Sequence, residues 1–169
     1  MPNWCEGNIR VRGTYDKIVK FFSENLIALK QSKNPKFLYD ELPAKIYKDS
    51  EFYTEIRKPD NGPFQKEFWF KDTNRQFMNA DFVGLSDWSD DPLQEIVICV
   101  DGYKGAWGID LEGFQAMAVK YGVDIRIVGY ERGMEFMETA ELYRNGKINE
   151  KTSRFNDWMW DCPCPNLGG

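Results

Sequence analysis

A chain of 169 residues with 42% hydrophobic content is long enough for one domain with a substantial core, and short for two. Its net charge of −5 and isoelectric point near 4.9 argue against a duplex-DNA binder that works by neutralising phosphates, though they leave room for a local basic patch. Histidine is absent, which removes the usual base of nucleophilic triads and of most zinc hydrolases, and the four cysteines are Cys5, Cys99, Cys162 and Cys164.

Asn8-Ile9-Arg10-Val11-Arg12 alternates, with Ile9 and Val11 on one face and the two arginines on the other, which predicts a half-buried strand. Gly13-Thr14 ends it, and Thr14 stands where it can cap a helix. The spacing of Tyr15, Ile18, Val19, Phe22, Leu26 and Leu29 predicts that helix over Tyr15–Lys30. Lys33–Asp49 is irregular, interrupted by Pro35 and Pro43, with Phe37-Leu38-Tyr39 packing locally on the core. Glu51–Ile56 reads as a strand, Pro59–Pro63 as a loop, and Phe64–Phe70 as a strand with aromatic residues on both faces. Asn74–Phe82 suggests one or two helical turns, and Ser86–Pro92 an acidic loop with Asp87, Asp90 and Asp91 around Trp88.

Ile96–Val100 is a continuous apolar run closed by Asp101-Gly102, the pattern of a central strand buried on both faces. A helix follows. Asp110 is placed to accept from a free backbone N–H, Leu111, Phe114, Met117, Ala118 and Tyr121 form its stripe, and Gly122 supplies the left-handed turn beyond it. Val123–Ile127 alternates strictly, so this strand, helix and strand imply a right-handed crossover onto one sheet. After a turn at Arg132-Gly133, Met134–Tyr143 is a further strand, Asn145-Gly146 a two-residue hairpin turn, and Lys147–Thr152 a charged edge strand.

This order predicts an α+β fold, a ferredoxin-like (split β-α-β) sandwich with an inserted loop region and a C-terminal β-hairpin. One domain spans residues 1–169. It consists of a first strand–helix unit at 1–31, an irregular insert with strands at 32–93, a second β-α-β unit plus hairpin at 94–152, and a tail at 153–169. The first and third strands then lie side by side at the centre. A different α+β sandwich, with the hairpin in a wider meander, is the alternative.

Two segments resemble a known family. The opening Met1-Pro2-Asn3-Trp4-Cys5-x-x-Asn8 resembles the start of the YubB-like ferredoxin-like family, small proteins of phages and plasmids with no settled function. Ala106-Trp107, a helix, a short strand and then Tyr130-Glu131-x-Gly133-Met134-x-Phe136 is similar to the family's later segment, and Asp40–Pro43 to a proline-containing stretch after its first helix. The sequence departs from the pattern where Gly108-Ile109-Asp110 replaces a serine and prolines, and where Asp87-Trp88-Ser89 is all that corresponds to a tryptophan-rich middle segment. The resemblance implies the fold, a mobile-element origin and a bacterial host cell, and it brings no catalytic residues.

Each candidate site has a plain structural alternative. Cys162 and Cys164, one residue apart, can share a soft metal with Cys5 and Cys99 completing four sulfur ligands, yet structural zinc pairs are usually spaced by two to four residues. The simpler reading is a tail and two core cysteines, with no metal or other cofactor. Lys104–Gly108 resembles the aromatic motif of RNA-recognition modules but lies after the strand, which favours a glycine-rich turn with Trp107 plugging the core. Glu131 in Tyr130-Glu131-x-Gly133 is more often a turn residue bonded to backbone than an acid–base group. Trp158-Met159-Trp160 either docks a partner or folds back into a groove of its own domain, and the second arrangement also permits a swapped homodimer.

Trp107, Tyr130, Glu131, Trp158 and Trp160 are therefore the binding candidates. The reading that follows is a non-enzymatic interaction protein that binds and modulates a host protein. Its alternative is a single-stranded nucleic-acid module using the open sheet face, where Arg10, Arg12, Arg126 and aromatics of Phe64–Phe70 would lie. The first residues lack a charged segment followed by an apolar run, and no stretch approaches the roughly 20 apolar residues of a membrane span. A cytoplasmic location with reduced thiols is the expectation.

Overall fold

The alternation at Ile9 and Val11 belongs to a strand far longer than itself. In the computed structural model, which describes residues 3–36, 38–59 and 67–169, β1 runs from Trp4 to Thr14, with Ile9 and Val11 buried and Arg10 and Arg12 exposed. It hydrogen-bonds antiparallel to two partners, β9 (Glu95–Ala106) and β10 (Asp124–Glu131). The expectations for residues 60–66, for Phe37 and for Met1 and Pro2 lie outside the described residues.

α1 spans Tyr15–Asn25, and Thr14 stands at its N-cap without a capping bond from its hydroxyl. The helix stops short of the predicted Lys30. Asn25 turns its Nδ2 onto the Phe21 carbonyl at 2.6 Å, and the backbone runs on as β2 (Leu26–Gln31). Leu26, Ile27, Ala28 and Leu29 are all buried. A strand buried on both faces has no alternation, and here its leucines fall by coincidence on the helical stripe.

The expected irregular insert is mostly sheet. It holds β3 (Tyr39–Pro43), β4 (Lys45–Ser50), β5 (Tyr53–Arg57), β6 (Phe68–Phe70), β7 (Gln76–Met78) and β8 (Phe82–Ser86). The helical turns predicted for Asn74–Phe82 are thus β7 and the start of β8. The C-terminal half contributes α2 (Leu111–Tyr121), β11 (Phe136–Leu142), β12 (Ile148–Arg154) and the single turn α3 (Trp158–Asp161). α2 is capped at both ends, with Asp110 accepting from the Gly113 N–H and Gly122 left-handed at φ 63°.

One sheet has nine strands in the order β12-β11-β10-β1-β9-β7-β6-β2-β3, and a second has three, β4-β5-β8. All their described pairings are antiparallel. Among the described residues this is a mostly antiparallel β protein of twelve strands and three helices, which overturns the small ferredoxin-like sandwich. The cause is local. β6 and β7, three residues each, are too short to show a period, yet they wedge between β9 and β2 and widen the sheet. β9 also differs from its prediction: it continues past Asp101-Gly102, Gly102 adopting φ 90°, and buries only one face, leaving Val97 and Cys99 exposed.

The main core fills the helix-bearing face of the large sheet with Ile9, Ile98, Ile125 and Leu142 beneath Phe21, Phe22 and Phe114. The small sheet joins it through Ile56, Val83 and Leu85, and Tyr15 Oη reaches Thr54 Oγ1 and the Leu85 carbonyl, each at 3.0 Å. A buried residue of that size contributes about 1.5–3 kcal/mol, so the shared core holds both sheets together. The opposite face of the large sheet carries no α1 or α2 and presents Arg10, Arg12 and Arg126. No helix among the described residues is long and apolar enough to cross a membrane.

Candidate functional site

At one end of β1 and β9 the open face carries an alternating stack of cations and aromatic rings. Lys104 Nζ lies 4.3 Å from the centre of the Trp4 ring, and the Arg75 guanidinium lies 5.8 Å from Trp4 and 5.0 Å from Trp107. Phe77 continues the array, 5.7 Å from Trp4 and 4.8 Å from Trp69. Register explains the grouping. Phe77 on β7 faces Lys104 on β9 and Trp69 on β6, and Trp4 on β1 faces Ala106 on β9, so one face collects rings from three strands and a lysine from a fourth.

Trp107 does not plug the core: 61% of it is exposed. Both Trp107 and Arg75 adopt left-handed backbone, at φ 64° and 55°. The Ala106 N–H donates to the Arg75 carbonyl at 3.1 Å, which ties the two turns together, and the Trp107 N–H donates to the Asn3 carbonyl at 2.9 Å, which ties its turn to the residue before β1. Left-handed backbone at a bulky residue costs about 1–3 kcal/mol, more than the roughly 0.5–1 kcal/mol of an exposed cation–π contact. Trp107 also lines a shallow groove of about 390 Å³ with Gln76, Asp110 and Glu112.

The other candidates divide between structure and surface. Trp158 is 4% exposed and packs on Tyr130 and Cys162, with its Nε1 donating to the Pro165 carbonyl at 2.7 Å. The tail therefore folds back onto the β10–β11 part of the open face, and Gly169 pairs its backbone with Trp4 at 3.2 and 3.3 Å. Trp160 points outward and is 86% exposed. Burial, then a hydrogen bond with Cys164 and the charges of Cys164 and Cys162, push the Tyr130 phenol up to about 12. Glu131 is fully buried and accepts from the N–H groups of Gly133 at 2.8 Å and Met134 at 2.6 Å, the turn-holding role that its motif suggests.

The four thiols do not converge. Cys5 pairs with Gly105, while Cys99 pairs with Arg10, several residues further along β1, and Cys5 is buried where Cys99 is exposed. Cys162 belongs to the tail and packs with Trp158 and Tyr130, and no group of three or more metal-ligating residues forms among the described residues. Burial, then the carboxylates of Glu138, Glu131 and Glu6, push the Cys5 thiol up and keep it protonated. Beside it Tyr103 bonds Gln76, and Glu138 accepts the Ile109 N–H at 3.0 Å while burial raises its carboxyl. Sequence reasoning missed this buried polar group and the Trp4–Arg75 stack alike. Both are assembled across strands, with no spacing along the sequence to announce them.

The other end of the open face is charged. Arg12 grips Asp124 at 2.7 and 2.9 Å, and Arg144 reaches Asp124 and Glu95. Burial pushes the Asp124 carboxyl up, but hydrogen bonds from the Arg144 guanidinium and backbone and from Arg12 outweigh it and hold the group at about 2. A depressed carboxyl stabilises the fold above its unfolded pKa, and that stability is lost as pH falls through the folded one. On the order of 2 kcal/mol is therefore expected to disappear between about pH 4 and pH 2. Asp124→Asn should flatten that acid limb in urea titrations, and an unchanged limb would refute the assignment.

Compared with models of protein families, with curated proteins and with solved structures, the sequence and its fold match none.

Proposed function

We propose that this is a non-enzymatic interaction module that docks a protein partner through the cation–aromatic array of Trp107, Arg75, Trp4 and Lys104. The observation that carries the reading is Trp107: a tryptophan held in strained left-handed backbone, left mostly exposed and backed by an arginine. Such conformations cluster at binding sites, and tryptophan and arginine dominate the energetics of protein interfaces. The resemblance of the opening segment and of Tyr130–Phe136 to a mobile-element family supports a partner in the cytoplasm of a bacterial host, whose activity the protein would modulate.

A single-stranded nucleic acid fits this face less well. The cations of the stack already lie over the Trp4 ring and over one face of Trp107, surfaces on which bases would stack. Acidic groups interleave with the basic ones, since Lys104 lies 3.3 Å from Glu67 and 3.8 Å from Glu6, and Arg12 and Arg126 have Asp124 and Glu141 beside them. Their fields largely cancel, leaving no continuous positive track for a phosphate backbone.

Photo-crosslinking in bacterial cells tests the proposal. A benzoylphenylalanine at Glu112, exposed beside Trp107, is expected to capture one protein, insensitively to nuclease. The adduct should vanish when Trp107→Ala is added, and Lys48 on the small sheet should give none. Capture from Lys48 alone, a nuclease-sensitive adduct, or indifference to Trp107→Ala would overturn it, and capture of a second copy would show a homodimer instead of a host partner.

A further inference from the structure

The charged end of the open face contains a defect in its own pairing. β1 and β10 are in register so that Arg12 faces Asp124, a matched rung, while a neighbouring rung sets Arg10 directly against Arg126. Like charges opposed across an antiparallel pair repel, and on its other side Arg126 faces Glu141 of β11. Arg126 has Glu141 at only 3.7 Å, and that carboxylate already accepts from Tyr143 Oη at 2.9 Å and Asn149 Nδ2 at 3.3 Å. Arg10 is exposed and, among the described residues, makes no hydrogen bond or ion pair. The two arginines line a shallow groove of about 290 Å³ with Val97 and Tyr143.

We infer that this groove binds a carboxylate of the protein partner, from an aspartate, a glutamate or a free C-terminus, between the guanidinium groups of Arg10 and Arg126. The inference rests on the protein-binding reading above and adds the partner's chemistry. An anion seated there turns the repulsion into two charge-assisted hydrogen bonds. A single carboxylate suits the site better than a phosphate backbone. Asp124 and Glu141 flank it, and Asp101, opposite Asn8 on the neighbouring rung, stands exposed on the same face, so a polyanion must pass three carboxylates. Val97 is exposed beside the arginines, giving the partner apolar surface next to its acidic anchor.

Amide-resolved NMR titration of the whole protein provides the test. Three probes are added in turn: a capped peptide with two glutamates between leucines, the same peptide with glutamines, and a single-stranded oligonucleotide. The acidic peptide should shift the signals of Arg10, Val97, Cys99 and Arg126, and lose them in high salt. Arg10→Gln and Arg126→Gln should each weaken binding by about tenfold or more without disturbing the remaining spectrum. Arg57→Gln, on the small sheet, should change nothing. Equal binding of the glutamine peptide, indifference to both substitutions, no binding of the acidic peptide at millimolar concentration, or tighter binding of the oligonucleotide would each overturn the inference. If it fails while the Glu112 adduct persists, only the carboxylate site falls. If the adduct is missing too, the protein-binding reading falls with it.

Discussion

A Gly7→Ala protein is expected not to fold. Gly7 lies on β1, an interior strand of the nine-stranded sheet, paired with Gly129 on one side and Tyr103 on the other, at the point where the β1–β9 register shifts. A Cβ there would overlap the Val128 carbonyl oxygen and stand 2.9 Å from its carbon and 3.2 Å from the Gly129 Cα. Those atoms are backbone of the neighbouring strand, so no rotamer change relieves the overlap, and β1 must separate from β10. Loss of that ladder costs at least about 4 kcal/mol, a large fraction of a domain's total stability. Gly146→Ala is the control: nothing lies within 4 Å of its Cβ, and only its φ of 90° is strained, which costs about 1 kcal/mol. A Gly7→Ala protein that melts cooperatively within a few degrees of the parent would disprove the arrangement.

Trp158→Ala should release the C-terminal segment and leave the sheets folded. Trp158 packs edge-on against Phe155, with ring centres 5.6 Å apart, and joins Tyr130 and Cys162 in a small cluster separate from the main core. Truncating a buried tryptophan costs about 3–5 kcal/mol. Because this cluster is a satellite, the cost falls on local opening instead of global unfolding. Amide exchange over residues 157–169 should accelerate by on the order of a hundredfold or more, while the thermal transition moves little. Unchanged exchange there, or collapse of the whole protein, would show that the tail is not an independent strap. Trp160→Ala, at an exposed neighbour, should leave exchange as it was.

The two tryptophans of one short segment thus have different fates, and no pattern in Trp158-Met159-Trp160 distinguishes them. What selects Trp158 is Tyr130 on a distant strand, with Cys162 packed into the same cluster. Trp107 illustrates the same gap in reverse. Its glycine neighbours mark a turn, but its exposure and its stacking on Arg75 depend on β7, which three residues are too few to reveal. Glu131 was legible, since a glutamate followed by a glycine turn is a local motif whose bonds reach only two and three residues ahead.

By itself the sequence determined what is local. The α2 helix with its Asp110 cap and Gly122 stop, the alternation of β1 and β10 and the charged edge at β12 all follow from residue chemistry over short spans. The hairpin between β11 and β12 was legible too, but its loop is Arg144–Gly146, closed by the Tyr143 N–H on the Lys147 carbonyl, with only Gly146 at positive φ, one residue longer than the expected two-residue turn. Tertiary structure alone decided the rest. A strand buried on both faces, such as Leu26–Leu29, has no period to read, and a strand of three residues, such as Phe68–Phe70, has no room for one. Those two kinds of strand turned the expected small sandwich into a nine-stranded sheet. The same widening brought Trp4, Arg75, Phe77, Trp69 and Trp107 onto one surface. Register between distant strands, a property of paired backbones and of no single segment, set Arg10 against Arg126.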